Sequence, residues 1–107
     1  MPKITRRPLQ EELPLLLRAA REPQPRTLRA LAREIGVEQS YLSRVTTATT
    51  QRRQPSRELL EKIARAFGLP ADYFPEFRAS IVVDAARENP ALLDPVYRRL
   101  QREISHQ

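Results

Sequence analysis

The chain contains no cysteine, two glycines, a single histidine and no long apolar run. Without cysteine, neither a disulfide nor a thiolate zinc site can staple the fold, and the composition fits a reducing compartment such as the cytoplasm. The lone histidine, His106, sits one residue from the C-terminus, where nothing holds it for proton transfer. There is no Gly-rich phosphate loop and no metal-ligand spacing, so no catalysis, cofactor or metal is expected. No apolar run exceeds three residues, Leu15–Leu17 among them, which is far too short to span a bilayer, and no signal-peptide pattern opens the sequence. Two glycines among several helix-length periodic segments favour an all-α fold. At 107 residues one domain with a short appendage is expected, with little apolar surface for a second core.

What is abundant is arginine. The net charge is +6, unevenly distributed: residues 1–57 hold 12 Lys and Arg against 5 Asp and Glu, residues 58–107 hold 7 against 8. The positive field therefore belongs to the N-terminal half. Such a field suits a polyanion, although a basic surface can also serve solubility alone.

Apolar periodicity divides the chain. Residues 1–12, with Lys3, Arg6 and Arg7 beside Pro2 and Pro8, lack an apolar stripe and read as a basic flexible arm. Pro14 suits a helix first turn, and Leu15, Leu16, Ala19 and Ala20 give that helix a face up to about Arg21. Thr27 is placed to cap the next helix, whose inner face is Leu28, Leu31, Ala32 and Ile35. Gly36 stops it by taking positive φ. A third helix, about Gln39–Val45, buries Leu42 and Val45, and residues 46–54 read as a polar loop. Ser56 caps a fourth helix closed by Gly68, a short fifth is expected over Pro70–Phe74, and Pro75 marks a break. Two further patterns follow, at about Arg78–Glu88 and from Asp94 or Pro95.

Residues 27–45, TLRALAREIGVEQSYLSRV, thus form two short helices meeting at a glycine corner. The second leaves Gln39, Ser40, Ser43 and Arg44 outward. Arg44 matches guanine O6 and N7, Gln39 matches adenine N6 and N7, and the serines donate or accept with less discrimination. The plainer alternative is an ordinary solvated helix face. Arg52 and Arg53 lie where a phosphate strand would pass, or on a solvated loop. Lys3, Arg6 and Arg7 are candidates for a minor groove, or belong to an arm with no target. Glu11, Glu12, Glu58 and Glu61 read as solvated helix-face charges.

Residues 13–77 resemble the lambda-repressor and Cro family, the xenobiotic-response-element type of helix-turn-helix protein. The resemblance rests on Leu28, Leu31-Ala32, Ile35-Gly36-Val37, Tyr41-Leu42 and Val45, then on PSRELLEKIARAFGLPADYF over residues 55–74. It implies a five-helix, lambda-repressor-like domain, here with two additional C-terminal helices, and a role as a DNA-binding transcriptional regulator, a repressor in preference to an activator. It implies base contacts from Gln39, Ser40, Ser43 and Arg44 and phosphate contacts near Thr27, Arg29 and Tyr41. Tyr41 has a second reading as simple core. The sequence departs from the family pattern at Leu28, where a phosphate-binding Gln is frequent, at Thr46, where Glu is usual, and in a longer loop after Val45.

The remaining segment, residues 78–107, is read as a helical extension. Ile81, Val82, Val96, Leu100 and Ile104 either close the same domain or pair with a second copy. Two-fold pairing doubles the DNA contacts of one short reading helix, so a homodimer on double-stranded DNA is expected. An alternative gives the tail to a second protein, as in antitoxin-like or phage regulators, with DNA binding secondary.

Overall fold

A computed structural model describes residues 4–47 and 55–105. The described residues form six α-helices and one 3-10 turn, with no strand among them. In chain order these are α1 (Leu9–Ala19), α2 (Leu28–Ile35), α3 (Gln39–Thr47), α4 (Arg57–Ala66), α5 (Pro75–Glu88), the 3-10 turn Pro90–Leu92, and α6 (Leu93–Ser105). The all-α expectation holds.

The helix ends are set by local chemistry. The Thr27 hydroxyl accepts from the Ala30 N–H at 3.1 Å and the Ser56 hydroxyl from the Leu59 N–H at 3.1 Å, so both caps foreseen in the sequence are made. Gly36 takes φ +77° and Gly68 φ +69°. At the second, the Gly68 N–H donates to the Arg65 carbonyl and the Leu69 N–H to the Ala64 carbonyl, the paired bonds of a Schellman ending.

One core joins α1 through α4 and the start of α5. Leu9, Leu13, Leu31, Leu42, Leu60, Ile63 and Phe74 are fully buried. Each such side chain contributes about 1.5–3 kcal/mol relative to exposure. Tyr73 and Phe74 point inward as expected, their rings edge to face at 5.1 Å.

Several boundaries differ from the sequence reading. The helix expected from Pro14 begins at Leu9, and Pro14 lies inside it. Residues 4–12 are therefore not a free arm. Thr5, Leu9 and Glu12 are buried, and the Thr5 N–H donates to the Tyr73 carbonyl at 3.2 Å. The cause is a partner distant in sequence. The Leu9 N–H donates to Glu76 Oε2 at 2.8 Å, supplying the cap that Pro8 lacks. Arg78 donates to the carbonyls of Thr5, Asp72 and Tyr73 at 2.8–2.9 Å. Glu12, read as a solvated charge, accepts instead from the Tyr73 phenol and from Arg7.

Residues 70–74 form a turn, with the Tyr73 N–H bonded to the Pro70 carbonyl at 3.0 Å, in place of a short helix. Pro75 opens α5 instead of marking a break, because a proline at the first helical position sacrifices no intrahelical hydrogen bond. The boundary drawn between 77 and 78 falls inside α5. An ion pair between Arg57 and Asp84 ties α4 to α5.

Candidate nucleic-acid interface

The corner between α2 and α3 is built from backbone requirements first. The N–H groups of Gly36 and Val37 both donate to the Ala32 carbonyl, at 2.9 and 3.0 Å. This arrangement needs the left-handed backbone that Gly36 supplies. Ala32 is buried at the contact, where a small side chain lets the two helices approach closely.

α3 is seated by its inner face. Leu42 is 0 % exposed, Val45 packs against the core and Thr46 is buried. The helix runs through Thr47, two residues beyond the expected end. Thr46 thus belongs to α3 and not to the loop. Its hydroxyl donates to the Leu42 carbonyl at 2.7 Å, which satisfies a polar side chain in an apolar setting.

The outer face carries the polar set. Gln39, Ser40 and Arg44 are exposed and Ser43 is half-buried. Gln39 with Ser43 and Ser40 with Arg44 stand four residues apart, in adjacent rows along one side of the helix. Among the described residues no carboxylate pairs with Arg44. Its five N–H donors therefore project from a helix fixed on its opposite side.

The surroundings add further groups. Thr27 and Arg29 are exposed at the start of α2, as is Arg26 beside them. Tyr41 is 38 % exposed, which removes its reading as simple core. Leu28 faces α1, where with Leu13 and Leu17 it lines a cleft of about 490 Å³. Packing thus occupies the side chain at one position where the family pattern differs. Arg52 and Arg53 lie outside the described residues, as does Lys3. Arg6 is exposed, whereas Arg7 donates to Glu12 at 3.3 Å.

A family model described as helix-turn-helix matches residues 17–74, more than half of the chain. The chain belongs to this helix-turn-helix family, the Cro/C1 type. No curated protein and no solved structure matches it. The match covers the α2–α3 corner and ends at the buried Phe74, so this helix-turn-helix protein is a DNA-binding regulator. None of its described helices is long and apolar enough to cross a membrane.

Sequence reasoning missed the groups that brace this helix-turn-helix unit from outside the matched segment. Thr5 and Glu12 precede it, and Glu76 and Arg78 follow it. The one signal available was the excess of polar residues flanking Leu9 and Phe77, both of which pack on the core.

Proposed function

We propose that this protein is a sequence-specific transcriptional repressor that places α3 in the major groove of double-stranded DNA. In this reading Arg44 and Gln39 read guanine and adenine edges, and Ser40 and Ser43 make shorter, less selective contacts. Thr27, Arg29 and Tyr41, joined by Arg26, hold the phosphates on one side of the groove. Arg52 and Arg53, which follow α3 in sequence, are further candidates for phosphate contact. Of the two described N-terminal cations, Arg6 is exposed while Arg7 is held by Glu12, so Arg6 is offered to a minor groove, together with Lys3.

The observation that carries the reading is the division of α3: Leu42 is 0 % exposed while Arg44, two residues on, is exposed and without a carboxylate among the described residues. Repression needs only occupancy of a promoter by such a domain. A homodimer on an inverted repeat, with half-sites about one helical turn apart, completes the proposal.

A random-duplex selection at near-physiological salt tests it. A recovered motif with two-fold symmetry supports the dimeric reader. Equal competition by random and selected duplexes would reduce the protein to a charge-driven binder.

The exposed apolar residues of α5 and α6 also favour the alternative in which the tail engages a second protein. Truncation after Glu88 separates the readings without disturbing the contacts of Glu76 and Arg78. Loss of the dimer together with tight operator binding supports the repressor. Intact operator binding by a monomer supports the partner module.

A further inference from the structure

The C-terminal helices present the largest mismatch between side-chain chemistry and surroundings. No residue of α5 or α6 is buried. Yet α5 carries Ala79, Ile81, Val82, Val83, Ala85 and Ala86 around most of its circumference. A helix that is apolar on most sides belongs inside a packed assembly. Exposed Ala79 and Val82 and the half-buried Ala86 make a seam at spacings of three and four, two small residues flanking a larger one.

α6 has the complementary pattern. Leu93, Tyr97, Leu100 and Ile104, with Val96 beside them, form one narrow stripe, and Arg98, Arg99 and Arg102 occupy the opposite face. Within its own chain α6 packs on little beyond the 3-10 turn that leads into it. The chain is accordingly drawn out to 45 × 28 × 24 Å with a radius of gyration of 15.8 Å. About 13 Å is usual for a compact chain of this size. A 13-residue helix standing alone is marginal in water.

We infer that α6 is an exchanged arm: its apolar stripe lies along the seam of α5 in a second copy of the chain, and the partner's α6 does the same in return. This rests on the homodimer reading above and adds the surfaces that make it. Both halves of the interface are present on one chain and do not bury each other there. Apart from Phe77, which packs on the core, the large apolar side chains of α5, the turn and α6 range from 38 % to 68 % exposed. A standard interface takes about 800 Å² from each partner, and these nine exposed side chains, most of them on α6 and the turn leading into it, supply apolar surface of that kind. A reciprocal contact of one patch with another on each copy closes at two subunits.

The absence of cysteine makes the test clean. Two full-length variants, Val82→Cys and Leu100→Cys, one bearing a tag that changes its mass, are mixed without DNA and oxidised under native conditions. Sedimentation equilibrium of the unmodified chain is run alongside. The exchanged arm predicts a dimer and a disulfide joining the two different variants, several-fold in excess over like-with-like products. A dimer whose cross-links join Leu100→Cys to Leu100→Cys places α6 against α6 and overturns the proposal. A purely intrachain disulfide in the Val82→Cys/Leu100→Cys double variant places α6 on its own α5 and also overturns it. Monomeric sedimentation at all concentrations overturns the dimer itself. Since Leu100 is exposed, Leu100→Asp leaves the helical domain folded and weakens dimerisation at least tenfold if the arm is exchanged. Arg44→Ala leaves the cross-linking pattern unchanged, which separates failure of this inference from failure of the DNA reading.

Discussion

The phenol of Tyr73 donates a hydrogen bond to the carboxylate of Glu12, 61 residues away, inside the protein. The contact fastens the first helix to the turn that precedes α5. Burial, with the Glu12 carboxylate beside it, pushes the Tyr73 phenol up to about 12. An unfolded tyrosine ionises near pH 10, so the folded state holds its proton over a window in which the unfolded chain loses it. The associated stability is complete below pH 10 and is lost as pH rises through about 12. Urea titrations at stepped pH should show the wild type losing about 2–3 kcal/mol more than Tyr73→Phe across that window. Parallel pH profiles for the two proteins would remove this role from Tyr73.

Glu76 caps α1 across 67 residues, its Oε2 accepting the Leu9 N–H at 2.8 Å. The preceding Pro8 has no side-chain acceptor for that end. Glu76→Ala should cost about 1–2 kcal/mol in chemical denaturation, as loss of a helix cap does. Glu76→Gln keeps an acceptor but removes the charge from the helix N-terminus, so it should lose a smaller amount. Equal losses in the two variants would show that charge and not geometry carries the contact.

Gly36→Ala tests the corner. A Cβ at Gly36 meets nothing within 4 Å, so any cost comes from the backbone alone. The expected loss is about 1–2 kcal/mol, the penalty of a left-handed residue bearing a Cβ. Gly36→Asn should lose less, because asparagine tolerates that region better. Since α3 is held on α2 through this corner, operator affinity should fall no more than stability does. A large affinity loss in a fully folded Gly36→Ala protein would mean that the glycine touches DNA.

Arg44→Ala should relax preference at one base pair of the selected site and cost about 1–3 kcal/mol there. Arg44→Lys should not restore it, because an ammonium cannot present two parallel donors to guanine. The check is binding to a panel of single-base variants of the site at one salt concentration. A uniform loss on every sequence, with a shallower salt slope, would assign Arg44 to the phosphates.

The legible parts of the fold are those written in neighbouring residues. Thr27 and Ser56 cap, Gly36 and Gly68 terminate, and Leu31, Leu42, Leu60 and Ile63 face inward at helical spacing. The polar residues of α3 were legible for the same reason, since Leu42 and Val45 fix which side remains outside. Pro14 and Pro75 are ambiguous in the sequence because one residue type has two local meanings. A proline starts a helix at no cost in hydrogen bonds, yet a helix interior can also hold one when its neighbours pack well. Leu9 and Leu13, both buried, supply that packing on α1.

By itself, then, the amino-acid order determined the all-helical class, the glycine corner and the sidedness of α3, because each depends on interactions within a turn or two of chain. Only the tertiary structure decided that Thr5 and Glu12 are buried, that Glu76 caps α1, and that α5 and α6 remain uncovered. Those outcomes turn on which distant groups meet. A buried carboxylate is tolerated only where a donor such as the Tyr73 phenol arrives to satisfy it, and an apolar stripe is covered only where another surface lies against it. Local periodicity specifies neither the donor nor the surface.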